Sequence, residues 1–377
     1  MNSVKILHCA DIHIGASESF LGERASARRY ETLAAFERTV DAAAERGAAL
    51  LLIAGDLFDS NTVEESLIRP VFEKIASLPN LRVIYAAGNH DPLNSNSPFC
   101  KYDLPENLDV LGTEDDCRTF ETLGVRVYGR SFESVYCRGE EAFSLVPPKD
   151  DFINIMVLHG ELRGDLNSGY NPVTRGFIER CGMDYIALGH IHKYSDIGKI
   201  GSTSFAYSGC PEGQGFDETG EKGVIFGEIS KGGSNLEFIP TARRMHIEEN
   251  VDVSGLNGTA EIYEIAVSAL KEKYGDGFGE NLYKLVLTGT PGAEDAVNTA
   301  ELSVRLSAVT YYAKVIDRTE PVFDSDMLEK EVSLKGLFYK TMKKRIDCAA
   351  ENEKEMLENA LKLGLRAFAG EVSCNED

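Results

Sequence analysis

Five short apolar runs, Val4 to Ala10, Ala49 to Ala54, Arg82 to Ala87, Ile153 to Leu158 and Tyr185 to Leu188, are rich in Ile, Val and Leu. Runs of this kind predict buried strands of a central sheet. Between the first two, Ala25 to Arg46 sets Leu33, Phe36 and Val40 at helical spacing, and Gly47 supplies the stop. Thr62 to Leu78 predicts a second helix, opened by Asn61 or Thr62 and kinked at Pro70. Strand, helix, strand, helix, strand is the order of an α/β core. Each run ends at a cluster of His, Asp, Asn and Gly, at the carboxyl end of a strand, where open α/β sheets place their ligands.

From Ser202 the texture changes to short strands punctuated by glycine, among them Gly223 to Ile229 and Leu236 to Pro240. Beyond Thr241-Ala-Arg-Arg244, the stretch Ile247 to Pro321 predicts a small α/β unit around a helix at Ala260 to Lys273 and a strand at Leu282 to Leu287. Ser333 to Phe368 reads as helical, with Leu337, Met342, Met356, Leu357, Ala360, Leu361 and Leu365 as apolar positions. The expected organisation is a main domain over 1–245, a small α/β accessory or capping domain over 246–330, and a helical segment over 331–377 that could bind a partner.

With 377 residues and 43% apolar side chains the chain has ample material for a buried core, and disorder is excluded as its main state. No run approaches the ~20 apolar residues that cross a bilayer, and the N-terminus lacks a signal-peptide layout. A cytoplasmic protein is expected. The eight cysteines (9, 100, 117, 137, 181, 210, 348 and 374) form no Cys-x-x-Cys pair, so reduced thiols are expected. A formal charge of −22 opposes binding to polyanions, whose affinity comes largely from Lys and Arg displacing phosphate counterions.

Five of the seven histidines lie in the strand-end clusters Asp11-Ile-His13, Gly55-Asp56-Leu-Phe-Asp59, Gly88-Asn89-His90-Asp91, His159-Gly160 and Gly189-His190-Ile-His192. Alternate residues share a face of a strand, so Asp11 and His13 can reach one metal. Asp56 has two oxygens and can bridge two cations, Asn89 offers a carbonyl oxygen, and His159, His190 and His192 offer imidazole nitrogens. Such a mixed set suits Mn²⁺, Fe²⁺ or Zn²⁺ better than Ca²⁺ or Mg²⁺. Two cations ~3.5–4 Å apart clamp the attacking and leaving oxygens of an in-line phosphoryl displacement and lower the pKa of a bridging water. His90 is assigned to the substrate side, protonating the leaving oxygen or stabilising the phosphorane, with Asp59 or Asp91 as its orienting partner. Asp59 reads nearly as well as a helix cap and Asp91 as turn chemistry. His8 and His246 read as a strand residue and a surface residue.

These motifs, in this order, resemble the calcineurin-like metallophosphoesterase superfamily, and within it the SbcD/YhaO-type DNA repair exonucleases. The narrower resemblance rests on Ile6-Leu-His-Cys-Ala-Asp-Ile-His13, Tyr170-Asn-Pro172, Tyr207-Ser-Gly209 and Gly215-Phe-Asp-Glu-Thr-Gly-Glu-Lys-Gly223, and covers residues 4 to about 245. The resemblance implies a four-layer αββα sandwich. It implies Asp11, His13, Asp56, Asn89, His159, His190 and His192 as metal ligands, His90 as the catalytic histidine, and two divalent ions, Mn²⁺ foremost. It also implies cleavage of DNA phosphodiesters, an SMC-like ATPase partner and a homodimer.

The expected function is a metal-dependent DNA exo/endonuclease of double-strand-break repair. A phosphatase or cyclic-nucleotide phosphodiesterase on the same scaffold is the alternative that the net charge favours. Arg24, Arg28 and Arg29 are candidates for a flanking phosphate, and Lys335, Lys340, Lys343, Lys344 and Arg345 form a second basic strip; a solvated helix face is the competing reading for each set.

Overall fold

A computed structural model describes residues 2–137, 143–163, 168–292, 297–319 and 325–368; Pro321 and Cys374 lie outside them. The chain divides into two units, the first ending at His246 and the second starting at Ile247.

The first unit runs β1 (Ser3–Cys9), α1 (Ala25–Glu45), β2 (Leu50–Ile53), α2 (Glu65–Ala76), β3 (Arg82–Tyr85), α3 (Pro98–Lys101), β4 (Leu108–Val110), β5 (Asp116–Phe120) and β6 (Val125–Arg130). It continues with β7 (Ile153–His159), β8 (Leu162–Arg163), β9 (Val173–Thr174), α4 (Arg175–Arg180), β10 (Tyr185–Gly189), β11 (Gly198–Ile200), β12 (Thr203–Tyr207), β13 (Gly223–Ser230) and β14 (Gly233–Pro240). Two six-stranded sheets result, ordered β14-β13-β1-β2-β3-β4 and β11-β12-β10-β7-β6-β5. β1, β2 and β3 are mutually parallel, as are β6, β7 and β10.

Strand periodicity assigns the layers. Val4, Ile6, Leu50, Leu52, Ala54 and Ile84 face Val125, Val127, Ile153, Ile155, Val157, Tyr185 and Ala187 of the other sheet in one buried cluster. The alternate residues Leu7, Cys9, Leu51, Ile53, Val83 and Tyr85 pack under Leu33, Phe36 and Val40 of α1 and Leu67, Val71 and Ile75 of α2. On the far side Met156, Leu158, Ile186 and Leu188 pack under Phe177 and Ile178 of α4. Helices, sheet, sheet, helix is the expected four-layer αββα sandwich. Because both faces of each inner strand are covered, the runs show little polar alternation.

Boundaries depart from expectation where side chains find other partners. The second helix begins at Glu65, because Asn61 donates to the Pro92 carbonyl at 2.8 Å and Thr62 N–H donates to Ser60 Oγ at 3.2 Å. Arg28, expected near solvent, is 1% exposed. Its guanidinium donates to Glu18 Oε1 at 2.7 Å, Glu31 Oε2 at 2.8 Å, Glu212 Oε1 at 2.9 Å and the Gly213 carbonyl at 2.5 Å. Arg29 pairs with Glu64 at 3.2 Å and Arg24 is exposed. His246, expected at the surface, is buried, with Nε2 3.3 Å from Glu18 Oε2 and Phe216 edge-on to its ring. His8 is the strand residue expected, and its Nδ1 meets the Tyr185 hydroxyl at 2.9 Å between the sheets.

The C-terminal elements are β15 (His246–Asp252), α5 (Gly258–Tyr274), β16 (Leu282–Thr288), α6 (Thr299–Ser307) and β17 (Tyr312–Asp317), which form a three-stranded sheet β15-β16-β17 with its helices. Then follow α7 (Ser325–Lys330), α8 (Leu334–Asp347) and α9 (Glu351–Phe368), joined by Leu328, Tyr339 and Leu365 with Phe338 and Leu361. Leu337 and Met356 point outward. In the basic strip Lys343 pairs with Glu329 and Lys340 donates to the Glu331 carbonyl. No helix among the described residues is long and apolar enough to cross a membrane.

Candidate metal centre

The seven proposed ligands converge from both sheets. Asp11 and His13 follow β1, Asp56 follows β2 and Asn89 follows β3, whereas His159 ends β7, and His190 and His192 follow β10. Getting alternate side chains to one point requires the backbone to leave the strand abruptly. Asp11, His13, Asp56 and His190 all have left-handed φ, at 54°, 50°, 50° and 100°. A residue other than glycine in that region costs ~1–3 kcal/mol, and such strain concentrates at functional sites. The glycines leave room: a Cβ on Gly55 would strike the His159 ring, and one on Gly88 would strike the Asp56 carboxylate.

Each of three rings is turned by a partner on its outer nitrogen. His159 Nδ1 lies 2.9 Å from the Ala54 carbonyl, which only accepts, so Nδ1 carries the proton and the Nε2 lone pair faces inward. There it meets Asn89 Oδ1 at 2.9 Å and Asp56 Oδ2 at 3.2 Å. His192 Nδ1 meets Glu218 Oε1 at 2.5 Å, and its Nε2 lies 3.2 Å from His13 Nε2. His13 Nδ1 is 3.3 Å from Asp59 Oδ1, and its Nε2 is 3.7 Å from Asp56 Oδ2. The Asp11 carboxylate accepts from His190 N–H at 3.0 Å, and the His190 ring stacks on Tyr170 with centroids 4.7 Å apart.

Lone pairs of imidazole, carboxylate and amide therefore face one another in a buried space, and an arrangement of acceptors needs positive charge between them. The donor atoms of Asp11, His13 and His192 lie within 4.8 Å of one another, as do those of Asp11, Asp56 and His159. This donor chemistry fits two divalent cations. Burial pulls His159 down, yet the Asp56 and Asp11 carboxylates raise it to about 9. For His192, burial is likewise outweighed by Glu218 and Asp11, giving about 9. Burial pushes Asp56 up, but His159, His13 and His90 carry it well below the carboxylate range. His190 falls to about 4 through burial and the nearby His159.

His90 is the more open side chain at 45% exposure, yet its donor atom lies within 4.8 Å of those of His13 and Asp56; its backbone N–H is held by Asp56 Oδ1 at 2.9 Å and its ring is edge-on to His13. Nδ1 is 3.2 Å from the Asp59 carbonyl and 3.8 Å from Asp59 Oδ1. Of the two acids expected to orient His90, Asp59 is the one beside it. Asp91 turns inward instead: fully buried, it accepts from Phe58 N–H at 2.9 Å and Gly88 N–H at 3.0 Å, bracing the two metal-site loops. Sequence reasoning assigned no role to Glu218 or to the Ala54 carbonyl. Glu218 sits in the Gly215–Gly223 block, which was the signal available; a backbone carbonyl leaves none.

The sequence matches the calcineurin-like phosphoesterase family over residues 4–194. It is 26% identical over 302 residues to the uncharacterized metallophosphoesterase YhaO of Bacillus subtilis, covering 77% of this chain and 73% of that one. It is 22% identical over 365 residues to the DNA double-strand break repair protein Mre11 of Methanopyrus kandleri, covering 90% of this chain and 77% of that one. With the Mre11 of Aeropyrum pernix it shares 35% identity over 265 residues, 66% of this chain and 64% of that one.

Proposed function

Starting from the fact that the chain belongs to the calcineurin-like phosphoesterase family, we propose that it is a two-metal DNA nuclease, an exo/endonuclease acting in double-strand-break repair. The observation that carries this reading is the meeting of the Asp11, His13, Asp56, His159 and His192 donor atoms, with the more exposed His90 at its edge beside His13 and Asp56. Asp11, His13, Asp56, Asn89, His159, His190 and His192 would hold two cations, Mn²⁺ being the best match, with Fe²⁺ and Zn²⁺ as alternatives. Such a pair would supply Lewis acidity, neutralising phosphate charge and making a nucleophilic water available near neutral pH.

The protein's own groups do the rest. His90 Nδ1 faces a carbonyl that only accepts, so Nδ1–H donates to Asp59 and the proton exchanged with substrate sits on Nε2, on the leaving-oxygen side. Asp59 fixes that ring and also faces His13, tying the acid to the ligand set. Asp91 holds the loop from which Asn89 and His90 project.

DNA as substrate is supported by the two Mre11 relatives and by the Tyr207–Gly209 and Gly215–Gly223 blocks. The −22 charge argues for a small phosphodiester or a phosphatase substrate instead. An SMC-like ATPase supplying basic surface would reconcile DNA with that charge; a homodimer of this chain is proposed on the family resemblance alone. The test is cleavage of end-labelled duplex and single-stranded DNA by chelator-stripped protein reloaded with Mn²⁺, beside bis-p-nitrophenyl phosphate and a His90→Ala control. DNA shortening that His90→Ala abolishes supports the nuclease; turnover of the small diester with DNA left intact, with or without an ATPase partner, selects the alternative.

A further inference from the structure

The Gly215–Gly223 block marks a branch of the family in sequence, and nothing in the proposed chemistry uses it. In the structure it belongs to a loop leading into β13 that touches the metal centre from three directions. Glu218 Oε1 takes the outer nitrogen of His192 at 2.5 Å. Lys222 Nζ donates to the His192 carbonyl at 2.9 Å. Gln214 Nε2 donates at 3.2 Å to the carbonyl of Ile12, the residue between Asp11 and His13.

Glu218 is itself held. Its Oε2 accepts from Gln214 N–H at 2.9 Å and faces Cys210 Sγ at 3.4 Å. The start of the loop is anchored where Glu212 meets Arg28 at 2.9 Å and Arg38 at 3.0 Å. A carboxylate only accepts, so the proton on His192 must sit on Nδ1 and leave the Nε2 lone pair pointing at the His13 side of the centre. An imidazole without such a partner is free to rotate or to take the other tautomer, and outer partners of this kind set metal affinity.

We propose that Glu218 is a positioning residue that fixes the orientation and tautomer of His192, and that this loop thereby sets the affinity of the cation site built on Asp11, His13 and His192. The inference rests on the reading of those three side chains as ligands.

The test measures Mn²⁺ binding by titration calorimetry, and Mn²⁺ pairing by electron paramagnetic resonance, on the full-length chelator-stripped protein, comparing wild type, Glu218→Ala, Glu218→Gln and Arg38→Ala. Arg38→Ala loosens the same loop without touching a ligand. The expected result is that wild type and Arg38→Ala take up two Mn²⁺ with a spin-coupled signal. Glu218→Ala should weaken one site by roughly 10–100-fold and show the uncoupled spectrum of single Mn²⁺ ions. Glu218→Gln, similar in size, decides the matter if the alanine variant does not fold; its expected loss is smaller but falls on the same site. Two sites of unchanged affinity in the Glu218 variants overturn the inference. Equal losses in Arg38→Ala overturn it as well, since loop integrity then explains them. A wild type that takes up no Mn²⁺ overturns the reading of the ligand set, and this inference with it.

Discussion

Removing Arg28 probes whether this residue is structural or a contact for substrate. Its guanidinium is 1% exposed among Glu18, Glu31 and Glu212, whose side chains are 5%, 14% and 1% exposed. Arg28→Met replaces the cation with an apolar side chain of similar length and leaves three carboxylates in a dry setting. Breaking a buried ion cluster from one side costs about 3–5 kcal/mol. Here each carboxylate keeps a second partner, Arg244 on Glu31, Arg38 on Glu212 and His246 on Glu18. The expected loss is therefore at the lower end, about 3 kcal/mol. Arg38, 37% exposed, makes one pair at the rim, and Arg38→Ala should cost under about 1 kcal/mol. The chain has no Trp, so urea unfolding is followed by far-UV circular dichroism. An Arg28→Met loss under about 1 kcal/mol, comparable to that of Arg38→Ala, would refute the argument. Unchanged stability with weakened DNA binding would restore the surface reading of Arg28.

Further expectations follow from other parts of the molecule. His90→Ala should keep its Mn²⁺ and lose about 10²–10⁴-fold in turnover of bis-p-nitrophenyl phosphate, whereas Asp56→Ala should lose metal and turnover together; metal analysis of both proteins checks the division, and depletion in His90→Ala contradicts it. Burial pushes Glu31 up, but Arg244 and Arg28 hold it below its ordinary 4.5. Its contribution is then fully present above about pH 4.5 and lost as pH falls through the lower native value, so wild-type urea midpoints should drop on acidification below that point, and more steeply than those of Arg28→Met. Mn²⁺ at 100 times its dissociation constant should add about 2.7 kcal/mol to the first unit, and an unfolding temperature that ignores Mn²⁺ counts against a buried site.

Much of the centre was legible in the sequence because its chemistry demands particular residue types at strand ends. Asp11, Asp56, Asn89 and the histidines 13, 159, 190 and 192 are visible as polar residues interrupting apolar runs. The sandwich is equally legible, since strands covered on both faces leave continuous runs such as Leu50-Leu-Leu-Ile53. What escaped depends on partners far along the chain. Arg28 looks like any first-turn arginine until Glu212, 184 residues later, is brought beside it. His246 and Glu218 are misread or passed over for the same reason. Asp59 and Asp91 were indistinguishable as orienting acids because both lie in the short polar segments that follow strands, where a helix cap or a turn explains an aspartate equally well, and only the fold shows which one faces His90.

The left-handed backbones at four of the proposed ligands also have an evolutionary consequence. At Asp11, His13, Asp56 and His190 the backbone alone would favour glycine, which visits that region without strain. Selection for folding would drift these positions toward glycine or asparagine, and only selection for chemistry holds them as Asp and His. A lineage that kept the sandwich as a scaffold and abandoned catalysis should gain stability as it decays, and its genome would record the loss first at these four codons.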